Sequence, residues 1–334
     1  MKKNYIVLLL ILLYSCNGFH NLKSVKFNGL AQGTFYSVTY YEKNGTNYKT
    51  QIDSILKSFD KSVSIYDSIS LISKINKNDT TVVLDNYFIE IFNTAEQISK
   101  KTNGAFDITV ASLVNAWGFG FKNKSEIDSS LIDSLLEFTG YKLVSINKNK
   151  IIKKDSRTIL DFNAIAKGYS VDIIGKFLES KGIENYLIDI GGEVFAKGEK
   201  TNNKKWKIGI EKPAKTKFDK QKIKAEIKLE NKAVATSGNY RNYYKNNGER
   251  YSHIINPKTG YPVKNNLMSA SVFADNCFTA DAYATAFMVM GLKRTKKFLS
   301  KNKELEAYLI YSDKNGDINI YTTKGIKNIM SEKK

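Results

Sequence analysis

The sequence predicts an α+β protein with mixed, largely antiparallel sheets and packed helices. Segments of alternating apolar and polar residues occur in pairs separated by short turns, as in β-hairpins. Helical segments, with apolar residues three or four positions apart, lie among these pairs but do not alternate with every strand, as they would in a doubly wound sheet. The 334 residues include only 3 prolines and no repeat of the length found in solenoids or propellers. We therefore expect one large domain or two smaller ones.

The first half of the chain is predicted to contain one strand, several helices and a hairpin. Apolar spacing defines the helices, and Asn-Gly at 103–104 provides a helix stop. Residues 104–120 include several aromatic residues and are interrupted by glycines, a composition that suits a pocket wall. The predicted elements are a strand (30–41), a helix (52–63), a helix (87–99), a short helix (131–138) and a hairpin (141–146 with 151–154).

The stretch 160–172, LDFNAIAKGYSVD, carries the strongest local signal. An apolar run stops at Asn163, a natural N-cap, and a helical pattern continues to Gly182, which suits the position after a helix. A strand that leads into a helix presents free N–H groups and a positive dipole end, which favour phosphate. Lys167 can reach an anion there, and Gly168 would let a ligand come close. By itself the pattern also fits ordinary packing.

The second half is predicted to be richer in strands. Two strands meet at Gly191-Gly192, and the segment around His253 precedes a tight turn over 257–260. Thr236-Ser237-Gly238 is either a hydroxyl-bearing loop or a turn. The predicted elements are a strand pair (185–198), a strand (206–213), segments at 233–244 and 251–262, a strand running into a helix (269–291) and a final hairpin (307–311 with 318–321).

The formal charge of +19 comes from lysines scattered along the chain. They concentrate only at 212–224 and 324–334, and no zinc-knuckle, helix-turn-helix or RNP-type pattern accompanies them. We therefore expect no nucleic-acid partner. A solvated lysine-rich surface is the simplest interpretation, and attraction to anionic lipid headgroups or to an anionic substrate is the alternative.

The N-terminus has the layout of an export signal. Two lysines precede an apolar run over 5–13, which is shorter than the about 20 residues that a membrane-spanning helix needs. Ser15-Cys16 resembles a bacterial lipobox, so Cys16 is predicted to carry a lipid; a non-lipidated signal peptide is the alternative. Cys277 would then be the remaining thiol, buried and inert, with no disulfide. The expected divisions are a signal peptide (1–16), a tether (17–29), the folded domain (30–325) and a basic tail (326–334).

Asp281 and Thr285 are four residues apart in an apolar helix, so their oxygens share one face. A carboxylate, a hydroxyl and a main-chain carbonyl from elsewhere would make the hard oxygen site that Mg²⁺ prefers. Alternatively, Asp281 lies near a helix cap and Thr285 bonds to its own backbone.

His253 is the only histidine of the predicted folded domain, which excludes a histidine-rich zinc site. Its polar, glycine-rich surroundings fit a phosphate contact or a general acid/base role, although a structural role is also open. No second candidate base completes a Ser/His/Asp triad.

Together these segments resemble the ApbE family of FAD:protein FMN transferases. The resemblance covers residues 30–321, and the family's motifs occur in the family's order. They read QGTFYSV, SIYDSISLISKIN, GAFDITVASLVNAWGFG, LDFNAIAKGYSVD, IDIGGEVFAKG, ATSGNYR, SHIINPKTG and ADAYATAFMVMG. The resemblance implies an enzyme with an ApbE-like fold that splits FAD, releases AMP and joins FMN through a phosphoester to a Thr or Ser of an acceptor protein.

The resemblance also implies roles for individual residues. Mg²⁺ would be held by the Ala164 carbonyl, Asp281 and Thr285, with the Ala284 backbone nearby. His253 matches the family's functionally important histidine, and with Asp281 and Lys167 it completes the expected catalytic set. Tyr66 would lie against the isoalloxazine ring, whereas Gln32 replaces a methionine that many members place beside the flavin. The expected FAD contacts are Gln32, Tyr66, Ala105, Phe106, Asp107, Asp161, Lys167 and Ile255.

Partners and location follow from the same resemblance. The expected acceptors are flavoprotein subunits of sodium-pumping NADH:quinone oxidoreductases or related electron-transfer complexes. A lipid on Cys16 would anchor the protein at the periplasmic face of the inner membrane, and the sequence leaves a homodimer open. Two other functions use the same motifs: a Mg²⁺-dependent FAD pyrophosphatase, against which Tyr66 argues, and a non-catalytic flavin-binding lipoprotein, against which the Asp281/Thr285 pair argues. A solute-binding lipoprotein would not need these motifs.

Overall fold

A computed structural model describes residues 22–120, 127–201, 203–211, 223–239, 243–246 and 249–332. Its helices are α1 (Lys49–Val63), α2 (Leu71–Asn76), α3 (Asn86–Lys101), α4 (Ala111–Ala116), α5 (Ser129–Leu136), α6 (Ala166–Ser180), α7 (Cys277–Lys301) and α8 (Lys324–Ile329). Its strands are β1 (Lys23–Ala31), β2 (Thr34–Glu42), β3 (Val144–Asn147), β4 (Lys150–Lys153), β5 (Tyr186–Ile190), β6 (Glu193–Lys197), β7 (Trp206–Glu211), β8 (Ile223–Leu229), β9 (Lys232–Gly238), β10 (Tyr243–Asn246), β11 (Glu249–Ser252), β12 (Leu267–Ala274), β13 (Glu306–Ser312), β14 (Ile318–Thr322) and β15 (Met330–Glu332).

An eight-stranded sheet in the order β1-β2-β5-β6-β9-β12-β13-β14 forms the centre of the molecule. Each neighbouring pair in it is antiparallel. Three smaller sheets have the orders β15-β8-β7, β10-β11 and β3-β4. The prediction of an α+β fold with largely antiparallel sheets is therefore confirmed.

Helices cover one face of the large sheet. The inward residues of β5, Tyr186, Ile188 and Ile190, pack in a core with apolar residues of α1, α3, α6 and α7. Side-chain N-caps start two of these helices: Asp85 accepts from the Phe88 N–H at 2.8 Å, and Asn276 accepts from the Thr279 N–H at 3.0 Å. Such caps satisfy N–H groups that have no partner within the helix. The helix layer is thereby fixed against the sheet.

The three-stranded sheet covers part of the opposite face. Trp206 of β7 and Ile227 of β8 are buried against Val194 of β6 and Phe273 of β12 in a second core. Since β6 and β12 contribute side chains to both cores, the central strands are buried on both faces. The large sheet therefore lies between a helical layer and a small sheet.

A third, smaller core joins α4 and α5 to the segment that follows β11. Leu113, Trp117, Ile132 and Ile255 pack together there. The Trp117 indole N–H donates to the Gly260 carbonyl at 2.8 Å. This core holds residues 104–120 against the turn at 256–260, and both lie beside the cavity described below.

Two sequence-based predictions about chain organisation were wrong. The predicted single strand over 30–41 contains the turn of a hairpin: β1 ends at Ala31, the chain turns at Gln32 and Gly33, with φ of 51° and 71°, and β2 begins at Thr34. The predicted tether over 17–29 therefore overlaps β1 from Lys23 onward.

The predicted basic tail over 326–334 is likewise part of the fold. Ile326 of α8 is buried in the second core, and β15 pairs with β8. The predicted signal peptide, including Cys16, lies outside the described residues, as do most of the lysine-rich segment at 212–224 and the last two residues of the tail. No helix within the described ranges is both long enough and apolar enough to cross a membrane.

Candidate active site

A cavity of about 630 Å³ lies where the helical layer, the β5–β6 turn and β7 meet. Its volume is typical of small-molecule sites, which span roughly 300–1,000 Å³. The predicted pocket wall at 104–120 contributes Phe106, Asp107 and Phe119 to it. The predicted site residues that line it are Phe106, Asp107, Asp161, Ala164, Lys167, His253, Ile255, Asp281 and Thr285. Residues predicted from separate motifs are thus brought together.

Four predicted site residues do not line this cavity in the described structure. Ala105 and Ala284 are buried in the main core next to residues that do. Tyr66 is 72% exposed in the segment between α1 and α2. Gln32 occupies the β1–β2 turn, and its amide donates to the Ser170 hydroxyl on α6. The predicted flavin contacts of Ala105, Tyr66 and Gln32, and the predicted place of Ala284 beside the metal, stay predictions.

The segment before α6 differs from the prediction in one detail. The helix begins at Ala166 with Ile165 at the N-cap position and no side-chain cap, so Asn163 is not the N-cap. The reason is a local turn, in which the Asp161 carboxylate accepts the Asn163 N–H at 2.7 Å and holds residues 161–163 outside the helix. At the other end, Gly182 has a φ of 74° and follows the helix as predicted.

Helices α6 and α7 approach each other closely at Gly168. A Cβ at this position would lie 2.5 Å from the Cys277 carbonyl oxygen and 2.8 Å from the Asp281 Cβ. The Gly168 N–H donates to Asp281 Oδ2 at 3.1 Å. Gly168 thus admits a neighbouring helix, whereas the sequence indicated that it would admit a ligand.

Lys167 and Glu193 form an ion pair in the cavity wall. Lys167 Nζ lies 2.6 Å from Glu193 Oε1, and the Glu193 side chain is 4% exposed. Burial opposes the charge on Lys167, but the carboxylates of Glu193 and Asp281 outweigh it and raise the Lys167 pKa. Burial and the Asp281 charge raise the Glu193 pKa above its ordinary value, and the Lys167 ammonium at 2.6 Å opposes that shift. No sequence pattern indicated Glu193 as a site residue, because a glutamate after Gly-Gly is usually a surface residue in a turn.

The residues present fit a magnesium ion. Ala164, Asp281 and Thr285 line the same cavity; Asp281 uses Oδ2 for the Gly168 N–H, which leaves Oδ1 for a ligand. Groups of three or more His, Cys, Asp or Glu suited to a metal are absent from the described residues. That finding does not affect a site of one carboxylate, one hydroxyl and one carbonyl, because Mg²⁺ often completes such a set with water and phosphate oxygens.

Two further carboxylates in the cavity have raised pKa values. Burial raises the pKa of Asp161 to about 6, although the Asn163 N–H opposes the shift. Burial also raises the pKa of Asp107, against hydrogen bonds from Thr109 and from the Tyr141 N–H, the latter at 2.7 Å. Asp107 therefore ties residues 104–120 to the segment after α5, and Asp161 stays available at the wall. Raised carboxyl pKa values in a cleft are common in functional sites.

His253 lines the cavity beside Phe119. Its ring makes an edge contact with Phe119 at a centroid distance of 6.3 Å. The next residues, Ile254 and Ile255, are buried, so the histidine is held by a fixed segment. A half-buried imidazole in a cavity that also holds a lysine and an aspartate is able to bind a phosphate or move a proton.

Comparison with known proteins relates most of the chain to one family. The model of the ApbE family matches residues 32–309. The FAD:protein FMN transferase of Vibrio cholerae is 34% identical over 302 residues, which span 87% of this chain and 89% of that protein. The FAD:protein FMN transferase of Haemophilus influenzae is 35% identical over 309 residues, which span 88% of each chain.

Solved structures give the same relation. The flavin transferase ApbE from Vibrio cholerae superimposes with a TM-score of 0.82 at 31% identity, covering 92% of this chain and 99% of the other. The apo form of the flavinyl transferase ApbE from Pseudomonas stutzeri also gives a TM-score of 0.82, at 30% identity, and covers 92% and 97% of the two chains.

Proposed function

The chain belongs to the ApbE family and is an FAD:protein FMN transferase, and we propose that its reaction depends on Mg²⁺ and takes place in the cavity described above. One observation supports this location: Asp161, Lys167, His253, Asp281 and Thr285, which come from separate motifs, line one cavity. The volume and the mixture of apolar and charged walls suit a nucleotide.

The proposed reaction exchanges one phosphorus–oxygen bond for another. A hydroxyl oxygen of a Thr or Ser in the acceptor protein attacks the phosphorus atom of the FMN half of FAD. The bond from that phosphorus to the bridging oxygen breaks, the bridging oxygen leaves with AMP, and the hydroxyl proton passes to a base. No electrons are transferred. Such reactions depend on positioning and on the neutralisation of charge on the phosphoryl oxygens.

The residues of the cavity divide these tasks. The Lys167 ammonium provides positive charge for a pyrophosphate oxygen. His253 either receives the hydroxyl proton or binds a phosphate oxygen. The Ala164 carbonyl, Asp281 and Thr285 would hold Mg²⁺. The ion, when bound, supplies further positive charge to the phosphates and orients them.

The acceptor and the place of the reaction are also proposals. A lipid on Cys16 would keep the enzyme at the periplasmic face of the inner membrane. Flavoprotein subunits of sodium-pumping NADH:quinone oxidoreductases, or of related electron-transfer complexes, are the acceptors we propose. The short apolar run at 5–13 and Ser15-Cys16 support the export and lipidation steps.

The reaction is tested by incubating the purified protein with FAD and Mg²⁺, with and without a candidate acceptor. AMP release is followed together with in-gel flavin fluorescence. The transferase requires acceptor-dependent AMP and a fluorescent acceptor band. AMP and free FMN in equal amounts with or without acceptor would identify a pyrophosphatase, and bound FAD without AMP would identify a flavin carrier.

Replacing Asp281 by Ala should lower Mg²⁺-dependent AMP release by at least about 100-fold, because the carboxylate of the metal set is lost. The measurement is the rate of AMP release over a range of Mg²⁺ concentrations. Asp275→Ala is the matched control, since the Asp275 side chain is 78% exposed and pairs with Lys232 on the surface. Full activity of Asp281→Ala would contradict the metal assignment.

A further inference from the structure

Glu193 is a buried charge with an incomplete set of partners. The residue is 3% exposed and begins β6 directly after the Gly191-Gly192 turn. Its Oε1 accepts from Lys167 Nζ at 2.6 Å, whereas its Oε2 is buried without a hydrogen-bond partner among the described residues. Burying a carboxylate in this way is unfavourable unless it is fully paired. A contribution to the stability of the fold therefore does not explain why this ion pair is present.

The backbone around Glu193 holds its side chain in place. Gly191 and Gly192 have φ values of 62° and 101°. The Gly191 N–H donates to the Phe35 carbonyl at 3.0 Å, and the Gly192 N–H donates to the Asp189 carboxylate at 2.9 Å. Glu193 itself pairs with Ile190 across the β5–β6 hairpin. The turn is thus hydrogen-bonded on both sides, and the backbone from which the Glu193 side chain extends is held in place.

Lys167, by contrast, has a long and flexible side chain. An ammonium on a four-carbon stem adopts many positions unless a partner restricts it. Lys167 has three N–H donors, of which Glu193 uses one, and its side chain is 33% exposed at the cavity. Glu193 therefore restrains the ammonium and leaves donors for an anionic ligand.

We propose that Glu193 is a positioning residue of the transfer reaction: it acts through Lys167, whose ammonium it holds at the place where negative charge develops on the phosphoryl oxygens. The inference rests on the proposed function, and Glu193 needs no contact with the substrate. A misplaced ammonium weakens the stabilisation of the transition state more than the binding of FAD. Loss of Glu193 should therefore reduce kcat more than it changes KM.

The test compares variants of the full-length protein in acceptor-dependent AMP release. Glu193→Gln keeps the shape of the side chain but removes its charge, and we expect kcat to fall at least tenfold while the KM for FAD changes less than threefold. Glu193→Asp keeps the charge on a side chain one methylene shorter, so the ion pair can form with a displaced ammonium, and we expect a rate between those of Glu193→Gln and the wild type. Glu179→Gln is the matched control, because Glu179 pairs with Lys197 at 2.7 Å outside the cavity.

A second comparison separates positioning from a structural role. If Glu193 acts through Lys167, Glu193→Gln should have no further effect on kcat in a Lys167→Met background. Multiplicative effects of the two substitutions would overturn the inference, as would a normal kcat for Glu193→Gln. If Glu193→Gln melts below the assay temperature, Glu193→Asp is combined with Lys167→Met instead. Multiplicative effects of these two substitutions on kcat would overturn the inference, and a Glu193→Asp effect that disappears in the Lys167→Met background would support it.

The two proposals fail differently. An inactive wild-type protein would remove the proposed function, whereas an active wild-type protein with an equally active Glu193→Gln variant would remove only the role of Glu193.

Discussion

At the scale of single residues, the site depends on how closely α6 approaches α7. Gly168 has no side chain, so the first turn of α6 lies against Cys277 and Asp281. The Gly168 N–H then orients the Asp281 carboxylate at 3.1 Å. A residue whose carboxylate is already oriented by the backbone needs little rearrangement to bind a cation. Activity should therefore be sensitive to any side chain at position 168.

Replacing Gly168 by Ala should destabilise the protein by roughly 1–3 kcal/mol, because the added Cβ overlaps backbone and side-chain atoms of α7. It should also lower Mg²⁺-dependent AMP release, because Asp281 must move. Denaturant unfolding and the activity assay measure the two effects. Gly182→Ala is the control: Gly182 has open space around it but a φ of 74°, so this variant should lose about 1 kcal/mol and keep its activity.

Asp172 of α6 is another buried carboxylate, and it caps the start of α7. It accepts the N–H groups of Cys277 and Phe278 at 2.8 and 2.9 Å. Burial raises its pKa from 3.8 to about 7, although these two donors oppose the shift. The folded form therefore retains a proton that the unfolded chain releases above pH 4. The contribution of Asp172 to the free energy of unfolding is greatest below pH 4 and is lost as the pH rises towards 7.

Asp172→Asn does not titrate, so the stability advantage of the wild type over this variant should shrink as the pH rises from 4 to 7. The expected change is up to about 4 kcal/mol, the energy equivalent of the shift. The free energy of unfolding of both proteins at several pH values gives the difference. A difference that stays constant with pH would show that Asp172 is ionised in the folded state.

The residues of the site were only partly predictable from the sequence. Lys167, Asp281 and Thr285 could be found because each lies in a helix whose spacing fixes its face. Glu193 could not be found, because its burial depends on Lys167, which is 26 positions away. Gly168 was found, but its role was assigned wrongly, since no local pattern reveals that a second helix packs there.

At the scale of elements, α7 consists of two helices joined at Gly291. That residue has φ 71° and ψ 169°, a region open almost only to glycine. Side chains bind the carbonyl groups that the break leaves free: Asn265 donates to Met288 at 2.8 Å, and Arg294 donates to Met290 at 2.8 Å. The first helix, with Asp281 and Thr285, is therefore complete in itself.

Gly291→Ala should destabilise the protein by about 1–3 kcal/mol through backbone strain. At temperatures where the variant is folded, Mg²⁺-dependent AMP release should stay near the wild-type rate, because the strain lies beyond the first helix. Thermal unfolding and a rate measured well below the midpoint test both parts. A folded variant with a strongly reduced rate would mean that the two helices are coupled.

Elements with strong periodicity were predicted well, and turns with unusual residues were not. The helix predicted over 52–63 is confirmed as Lys49–Val63, and the hairpin at the end of the large sheet is confirmed as β13 and β14. The β1–β2 turn was missed because Gln32 has a positive φ, which the sequence does not reveal for a residue other than Gly, Asn or Asp.

At the scale of the whole molecule, the order of layers could not be read from the sequence. The alternation within each strand predicts two faces, but not which partner covers them. The second core forms where β8 and α8 pack against β6 and β12. These four elements are far apart along the chain, so their contact is not visible in the sequence. The resemblance to a family implied the fold and the reaction, whereas the layers and contacts required the structure.

The cavity draws its walls from both of the layers that the large sheet separates. Ala164 and Asp281 belong to the helical side, and Gly209, Ile210 and Glu211 belong to β7 of the small sheet. A nucleotide in the cavity would therefore touch both layers at once and join them mechanically. The force needed to pull the small sheet away from the helices would rise when a nucleotide fills the cavity. The protein would therefore resist mechanical unfolding most strongly while it holds its substrate.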